Sequence, residues 1–503
     1  MRLDPRSVPY RAGASTARLL WAVVVVALTS QLDERVGLTL AGGVVVLFAA
    51  AATYQLAYYR RFEYDLADDT FDIRSGVLSR RERDIPLRRI QNVDTSQNVV
   101  QQLLGITEVR LETAGGDETE AVLQYVSAAE ATRLQDDISR LKRGDANGER
   151  EEGERGTHPE RETVFAITPR ELFLLGVVSL DLRLVPVFSV VAGVLVPSIA
   201  VSTTPFGPMG EMPMSSMVTS PLVAISLGTV ALYALAAAAS GVVTATNYYG
   251  FRLSRGPDEL RYERGLFQRY TGTIPLAKVQ SLTVDANALA RLGGYASLTV
   301  RTAGYAPGDT EGAQSAVPFA DRERVWALAR SVEDLGEVSF ERPPRRARTR
   351  YAARYLIGLA LLTGAFYAVT RLDAVWGRWW LTAALVPFVP VAAHLKWRAR
   401  GYALLDDHVV TRNGFFLRRT TVVPYHRVQT VSTVQTVFQR RRDLATLLVD
   451  AAGGSGADAR AVDIDATVAE ALRGTVEARL NRALAARREQ RHRERTASLT
   501  DDP

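Results

Sequence analysis

Apolar residues are concentrated in six segments of the chain, and the stretches between those segments are charged. The six segments are Thr16–Gln31, Val36–Tyr58, Leu184–Val201, Pro221–Thr244, Tyr355–Thr370 and Trp379–His394. Several of them are near the lower limit of the ~17–25 residues that an α-helix needs to cross a bilayer. Because the segments occur in pairs with a connector between the two members, the pattern predicts three transmembrane helical hairpins.

The charges around these pairs are distributed unevenly. Arginines crowd the outer ends, as Arg60 and Arg61 do after the second segment and Arg350 and Arg354 do before the fifth, whereas the connectors carry few charges. By the positive-inside rule, this asymmetry predicts a multi-pass protein of the cell membrane with both termini and all charged domains in the cytoplasm. Six buried helices of a soluble protein are the alternative, which fits the shorter segments but not the arginines.

The charged stretches repeat one another three times. Each copy has a glycine, a proline, a glutamine and a second glycine at identical spacing: Gly76, Pro86, Gln91 and Gly115; Gly265, Pro275, Gln280 and Gly304; Gly414, Pro424, Gln429 and Gly453. A fixed spacing of this kind is the signature of a repeated structural unit. A length of 503 residues fits about three domains, which is also the number of copies.

The pattern within each copy predicts short antiparallel strands. Alternating stretches precede the first glycine at Phe71–Arg74, Glu259–Glu263 and His408–Arg412. The glycine itself suits the left-handed position of a hairpin turn. The proline suits the start of a strand, where a missing backbone donor is tolerated.

Two helical signals follow the glutamine. Val99, Val100, Leu103 and Leu104 are spaced for one face of a short helical turn. Each copy then closes with an amphipathic helix, predicted over Ala128–Leu141, Asp321–Leu335 and Ala466–Arg487. We therefore expect each domain to consist of short strands and a C-terminal helix that plugs the open end of a small barrel.

The repeated motif resembles that of the bacterial pleckstrin-homology-like membrane proteins of the YdbT type. The stretches Ile85–Gln91 (IPLRRIQ) and Ile274–Gln280 (IPLAKVQ) carry it, together with the strands that run into Thr-Ala-Gly at Gly115 and Gly304. The third copy departs from the motif, because Asp443 stands where the first two copies have glycine. The resemblance implies that each copy is a pleckstrin-homology-like (PH-like) β-barrel capped by a C-terminal helix.

These observations predict an α+β membrane protein in which a transmembrane hairpin precedes each PH-like domain. The hairpins are expected over 16–58, within 165–245 after an interfacial segment, and within 341–395 after a basic segment. The PH-like domains are expected over 59–142, 246–340 and 396–487. Residues 143–164 read as a flexible charged linker and residues 488–503 as a basic, disordered tail.

One basic residue and one glutamine recur in every copy as candidate contact residues. The basic positions are Arg89, Lys278 and Arg427, and the glutamines are Gln91, Gln280 and Gln429. A cation there could pair with lipid phosphate, where each one adds about 1 kcal/mol, or could be a solvated strand residue beside a carboxylate. The glutamines contact a partner or satisfy a backbone group. The recurring glycines and prolines are predicted structural turn residues.

Composition and motifs exclude several kinds of catalytic and binding site. The chain has no cysteine, so disulfides and thiolate catalysis are excluded. None of the five histidines shows metal-ligand spacing, and no phosphate-binding glycine loop or catalytic motif is present, so we expect no metal, no cofactor and no catalytic residue. The net charge of +6 derives largely from arginines beside the apolar segments and in the tail, so no nucleic-acid partner is expected.

Three similar modules without a reactive constellation favour multivalent binding. The predicted function is a non-enzymatic membrane scaffold whose cytoplasmic domains bind lipid headgroups, partner proteins or one another. The expected partners are membrane lipids, a second copy of the chain or another membrane protein. The alternative is a transport, export or envelope-stress accessory protein, although the apolar segments contain almost no charge of the kind that lines a transport path. A hydrolase is a third and less favoured hypothesis.

Overall fold

The computed structural model describes residues 1, 3–14, 34–67, 69–113, 121–142, 162–179, 221–302, 313–371, 379–451 and 459–500. The strands are β1 (Glu63–Leu66), β2 (Thr70–Ser75), β3 (Arg81–Pro86), β4 (Ile90–Asn98), β5 (Ile106–Thr113), β6 (Ala121–Ser127), β7 (Glu162–Ala166), β8 (Arg252–Arg255), β9 (Glu259–Arg264), β10 (Gln268–Pro275), β11 (Val279–Asn287), β12 (Tyr295–Thr302), β13 (Ala313–Asp321), β14 (Gly401–Leu404), β15 (His408–Asn413), β16 (Leu417–Pro424), β17 (Val428–Val434), β18 (Leu444–Ala451) and β19 (Ala459–Asp465).

The α-helices lie before, between and after these strands. They are α1 (Glu34–Arg61), α2 (Val99–Leu104), α3 (Ala128–Lys142), α4 (Pro169–Val178), α5 (Pro221–Asn247), α6 (Ala288–Leu292), α7 (Arg322–Val332), α8 (Ala347–Arg371), α9 (Phe388–Arg398), α10 (Val437–Arg440) and α11 (Ala466–Thr500). Short 3-10 helices occur at Leu87–Arg89, Leu276–Lys278, Trp379–Leu385 and Tyr425–Arg427. The helices α3, α7 and α11 occupy the places of the three predicted closing helices.

The first compact unit comprises Met1–Ala166, Tyr249–Ala277 and Ala303–Ala306. In it, β1, β2 and β3 form an antiparallel sheet, and a seven-stranded sheet follows the order β6-β5-β4-β10-β9-β8-β7. The later strands of the first repeat therefore join the earlier strands of the second repeat through the pair β4–β10, in which Thr95 lies opposite Thr271.

The second compact unit comprises Ile167–Tyr248, Lys278–Thr302 and Pro307–Pro503. It has the same construction, with a six-stranded sheet in the order β13-β12-β11-β16-β15-β14 and a three-stranded sheet in the order β17-β18-β19. The later strands of the second repeat join the earlier strands of the third through the pair β11–β16, in which Val284 lies opposite Thr420.

The sheets of the expected PH-like domains therefore continue across the repeat boundaries. The physical reason is the position of the proline. Pro86, Pro275 and Pro424 end strands β3, β10 and β16, and a 3-10 helix follows each of them. The prediction that these prolines start strands is wrong. Because the chain turns after each proline, it leaves one sheet and enters another.

Apolar side chains from both sheets of the first repeat meet the closing helix. Phe71, Val109 and Leu123 from the strands pack with Leu134 and Ile138 of α3, and all five are buried. Burial of a side chain of this size stabilises the fold by about 1.5–3 kcal/mol. The apolar side chains whose spacing predicted α3 from the sequence are therefore the ones that pack against the strands and hold the domain together.

The first glycine of each repeat lies in a hairpin turn. Gly76, Gly265 and Gly414 have φ values of +115°, +104° and +88°, which side chains other than glycine rarely adopt. A β-carbon at Gly265 would stand 1.9 Å from the backbone oxygen of Gln268, so the turn requires glycine. The second set, Gly115, Gly304 and Gly453, lies outside the described residues.

The transmembrane hairpins are the main prediction that the structure corrects. Thr16–Gln31 and Leu184–Val201 lie outside the described residues. In the part of the chain that the structure describes, no helix is both long enough and apolar enough to cross a membrane. At Trp379–His394 the cause is a break between a 3-10 helix and the 11-residue α9, which spans about 16 Å where a bilayer core needs ~30 Å.

The remaining long helices also pack against the domains. In the second unit, Ala347 and Tyr351 at the start of α8 are buried with Trp397 of α9 and Leu444 of β18. Gly176 of α4 meets Gly241 of α5, where a β-carbon on Gly241 would lie 2.6 Å from the Gly176 oxygen. These contacts tie the start of α8 and the end of α9, which were expected next to the membrane, to β18, and they tie Gly241, which was expected within a membrane span, to α4.

The predicted linker and tail differ partly from expectation. Residues 143–161 lie outside the described residues, and the linker's last three residues begin β7, which pairs with β8. The final helix α11 continues to Thr500, so it includes most of the segment that was expected to be a disordered tail.

Candidate anion-binding cavity

The recurring basic residues occupy equivalent positions in unequal surroundings. Arg89, Lys278 and Arg427 each end a 3-10 helix after the strand that closes at proline. Arg89 is exposed, whereas Lys278 and Arg427 are half-buried. Burial lowers the pKa of the Lys278 ammonium. The role of these three residues in lipid or partner contact stays a prediction.

The recurring glutamines differ for a reason that the topology supplies. Gln280 is 4% exposed, and its Nε2 donates to the Lys278 oxygen at 3.5 Å. Gln429 is exposed. Gln280 lies on β11 inside a six-stranded sheet, but Gln429 lies on β17, the end strand of its sheet. The side chain of Gln91 lies outside the described residues.

The second unit contains a cavity of about 490 Å³ against one face of β11, β12 and β16. Four arginines and several aromatic rings line it. The lining residues are Val284, Ala286, Ala288, Arg291, Leu292, Gly294, Tyr295, Ala296, Arg322, Trp326, Phe340, Arg412, Phe415, Arg418 and Thr420. Among these described residues there is no aspartate or glutamate.

Strand alternation explains how two of the arginines reach the cavity. Arg412 lies opposite Thr420 across the β15–β16 hairpin, and Arg418 lies opposite Ala286 across β11–β16. Because side chains two residues apart on a strand share a face, Arg418 and Thr420 point to the same side as Arg412 and Ala286. The intervening Arg419 points away and pairs with Asp285 at 3.1 Å.

The other two arginines come from helices at the ends of β11 and β13. Arg291 lies on α6, and its Nη1 donates to the Phe415 oxygen at 2.6 Å. Arg322 is the first residue of α7, directly after β13. The preceding Asp321 is not among the lining residues, and its side chain accepts a hydrogen bond from the Glu323 backbone N–H.

Burial and mutual repulsion lower the pKa values of the half-buried arginines. Burial, with Arg418, Arg342 and Arg322 nearby, lowers the pKa of Arg412 to about 10. Burial also lowers the pKa of Arg418, with further contributions from Arg291, Arg322 and Arg398. The Arg412 guanidinium remains protonated at neutral pH, because a pKa of about 10 lies well above 7.

Two donors in this cluster lack an acceptor. The Nε atoms of Arg412 and Arg418 are buried and have no hydrogen-bond partner within the described part of the chain. An aromatic ring covers one of them, since the Arg412 guanidinium carbon lies 4.2 Å from the Phe340 ring centroid. Buried polar groups are normally paired, so unpaired cationic donors around a cavity mark a place for an anion.

Large apolar side chains are exposed at the rim of the cavity. Leu292 is 86% exposed, and Phe416, next to the lining residue Phe415, is 77% exposed. The equivalent positions of the first unit, Leu103 and Phe267, are also exposed. The helical turn predicted from Val99, Val100 and Leu103 is present, but these side chains face outward instead of packing on the sheet.

The site has the chemistry of binding. Arginine is always protonated near neutral pH, and its planar fork of donors matches the oxygens of a phosphate. In the chain from 1 to 500, as far as the structure describes it, no group of histidine, aspartate and glutamate residues is arranged to hold a metal ion. Sequence reasoning missed this site because it looked for positions that recur in all three copies, whereas these arginines come from different repeats.

Comparison with known proteins agrees with the repeat pattern. Residues 19–142, 178–335 and 356–480 each match the bacterial PH domain family. The UPF0699 transmembrane protein YdbT of Bacillus subtilis (strain 168) is 26% identical over 421 residues, which are 80% of this chain and 82% of that protein. The UPF0699 transmembrane protein YdbS of the same organism is 32% identical over 85 residues, 17% of this chain and 52% of that protein.

No solved structure matches the chain. The three family matches cover well over half of its length, and each includes one copy of the Gly-Pro-Gln spacing. The resemblance drawn from that spacing is confirmed. The chain belongs to the bacterial PH domain family.

Proposed function

We propose that this chain is a membrane-associated scaffold without enzymatic activity, and that its arginine-lined cavity binds the phosphate of an anionic lipid headgroup. The observation that carries the proposal is the group of four cavity arginines with no carboxylate among the lining residues. An anion in the cavity would accept hydrogen bonds from the unpaired Nε donors of Arg412 and Arg418. It would also offset the repulsion that lowers their pKa values.

A lipid is favoured over a free phosphate by the rim of the cavity. Leu292 and Phe416 stand exposed beside the arginines, and apolar side chains of this kind gain about 0.8 kcal/mol for each CH₂ group that leaves water. Contact with acyl chains would remove this surface from water while the phosphate lies in the cavity. Anionic lipids of the cytoplasmic leaflet also attract basic surfaces at about 1 kcal/mol for each arginine or lysine.

Membrane association is also supported by the relatives. YdbT and YdbS of Bacillus subtilis are both named transmembrane proteins. The cavity lining contains no histidine, aspartate or glutamate that could act as a general base, which supports a binding role. The repeated architecture supports a scaffold, since several similar modules on one chain permit multivalent contact.

A vesicle flotation experiment with the full chain tests the proposal. The purified protein is mixed with vesicles of phosphatidylcholine alone, or of phosphatidylcholine with phosphatidylglycerol, and the bound fraction is measured. We expect binding to the vesicles that contain phosphatidylglycerol and little binding to phosphatidylcholine. Equal binding to both kinds of vesicle, or binding to neither, would contradict the proposal.

Matched variants distinguish an effect of the cavity on vesicle binding from an effect of total charge. Arg418→Gln removes a cavity arginine, and Arg419→Gln removes the same charge from the opposite face of the same strand. We expect Arg418→Gln to reduce flotation much more than Arg419→Gln does. Inorganic phosphate, without vesicles, is tested as a second ligand. If it stabilises the protein while vesicles do not bind, the ligand is a soluble phosphate compound and the lipid proposal fails.

A further inference from the structure

The two junctions between repeats use the same strands in the same register. At the first junction Gln268 of β10 lies opposite Asn98 of β4, and at the second Leu417 of β16 lies opposite Asn287 of β11. Gln268 and Leu417 each follow the turn glycine by three residues, and Asn98 and Asn287 each follow the repeat glutamine by seven. Both junctions are therefore the same interface, formed twice within one chain.

The same strands exist once more at the two ends of the repeat array, but there they are sheet edges. In the first repeat, β3 corresponds to β10 and β16, and it is an outer strand of its three-stranded sheet. In the third repeat, β17 corresponds to β4 and β11, and it is likewise an outer strand. The first repeat therefore offers one strand of a junction, β3, and the third repeat offers the complementary strand, β17.

Exposure along β17 changes as expected for an interface that is not covered. Leu282 and Val284 of β11 pair across the junction and are buried, whereas the equivalent Val431 and Thr433 of β17 are only half-buried. On β16, Thr421 lies opposite Thr283 and is buried, whereas the matching Arg83 of β3 is exposed. An exposed strand edge is a template for another strand.

We propose that β17 of one copy of this chain pairs with β3 of a second copy, head to tail. The register of the internal junctions places Glu82 opposite Thr433 and Asp84 opposite Val431, because these pairs correspond to Thr420 opposite Val284 and Val422 opposite Leu282. The pairing extends the two sheets into one across the two copies, as the internal junctions do within a copy. It rests on the strand edges and not on the arginine-lined cavity.

A second copy is the partner because β17 and β3 correspond to the two strands that already pair at both internal junctions. The segment Val428–Val434 carries no charge, so it sets no like charge against the alternating charges of Arg81–Asp84. Head-to-tail pairing is heterologous, so each added copy leaves one new edge of each kind. The assembly therefore grows beyond a dimer unless the rotation between copies closes a ring.

Cysteine cross-linking tests the register, since the natural chain has no cysteine of its own. Full-length Glu82→Cys protein is mixed with full-length Thr433→Cys protein under mild oxidation, and the yield of disulfide-linked heterodimer is measured. The out-of-register control replaces Thr433→Cys with Ser432→Cys, whose side chain points to the opposite face of the strand. The working control is Thr95→Cys with Thr271→Cys in one chain, a pair that already faces across β4–β10.

The proposal predicts several times more heterodimer from Glu82→Cys with Thr433→Cys than from Glu82→Cys with Ser432→Cys. Equal yields from the two mixtures, or no heterodimer when the Thr95–Thr271 control closes, would overturn it. A double variant, Glu82→Cys with Thr433→Cys in one chain, identifies the source of the partner strand. If it closes only within single chains at every protein concentration, β3 pairs with its own copy and the proposal is wrong.

Discussion

The guanidinium of Arg412 stacks over the ring of Phe340, with 4.2 Å between the guanidinium carbon and the ring centroid. A cation over an aromatic face gains about 0.5–2 kcal/mol, which holds the side chain in place but does not neutralise its charge. Since Arg412 also lies among other cavity arginines, the charge that remains is available to an anion.

Inorganic phosphate should raise the thermal unfolding midpoint of the protein, because a ligand that binds only the folded state stabilises it. Arg412→Gln removes one of the repelling charges and one phosphate contact, so we expect the gain from phosphate to shrink in this variant. Differential scanning fluorimetry in phosphate and in sodium chloride of equal ionic strength measures the effect and corrects for screening. The Arg419→Gln control should keep the wild-type gain, and the same loss in both variants would argue against the cavity.

The exposed rim residues should matter for membranes but not for folding. The double variant Leu292→Ser with Phe416→Ser loses two apolar side chains that are mostly in water already, so its unfolding midpoint should stay near that of the wild type. Its affinity for anionic vesicles should fall about tenfold or more, because each side chain can gain about 1.5–3 kcal/mol on leaving water. The control variant Leu292→Met with Phe416→Leu should bind anionic vesicles normally. Normal binding by the serine variant would show that the rim residues do not contribute to membrane binding.

Asp463 holds together a buried cluster in the third repeat. Its carboxylate accepts hydrogen bonds from Tyr351 at 2.7 Å, from Arg400 at 2.6 Å and from Gln439 at 2.8 Å, and it also pairs with Arg350. Asp463→Asn keeps the shape and tolerates the positive φ of 61°, but it leaves two guanidiniums without their counter-charge. We expect a loss of about 3–5 kcal/mol in the free energy of unfolding, measured by urea denaturation.

The matched control for this variant is Asp465→Asn, two residues along the chain. Asp465 pairs with Arg346 at a partly exposed position, so its loss should cost at most about 1 kcal/mol. If the two variants lose the same stability, the buried cluster does not have the importance that its geometry implies.

His426 should make the fold weaker in mild acid. Burial, together with the nearby Arg487, Arg427 and His408, lowers its pKa from 6.5 to about 4, although Glu333 opposes the shift. Between these two pKa values the unfolded chain binds a proton at His426 and the folded chain does not, so stability falls as the pH falls from about 6.5 towards 4. His426→Gln should therefore reduce the difference between the unfolding midpoints at pH 7 and pH 5. An unchanged difference would show that other groups cause the acid sensitivity.

The local elements of this fold follow from the sequence. Gly76, Gly265 and Gly414 predicted the hairpin turns because only glycine adopts their backbone angles without strain. The alternating stretches before these glycines are strands, and the amphipathic segments that close each repeat are helices. These features depend on neighbouring residues, so the spacing along the chain contains enough information to place them.

The longer-range features could not be predicted in the same way. Apolar spacing at Val99, Val100 and Leu103 predicts a helical face but cannot say whether that face meets a sheet or solvent, and here it is exposed. Whether that face is buried depends on contacts between distant segments. The helix break before Phe388 has a local signal instead, because Pro387 stands at the break, and the length of the apolar run alone does not reveal it.

The cavity was hidden for a related reason. Arg412 and Arg418 stand on either side of the turn glycine Gly414, on one face of a hairpin, and this even spacing was the available signal. Arg291 joins them only because β11 of the second repeat pairs with β16 of the third. A search for residues that recur in all copies passes over a site whose members come from two repeats.

The most direct test of the account is the dissociation constant of a short-chain phosphatidylglycerol, measured by titration calorimetry below its micelle concentration. The account predicts saturable binding by the wild-type chain and a loss of about tenfold or more in Arg418→Gln, because a charge-assisted hydrogen bond contributes about 1.5–3 kcal/mol. It predicts near-normal binding in Arg419→Gln and little binding of the matching phosphatidylcholine. Equal affinity of the two lipids, or equal loss in the two variants, would contradict it.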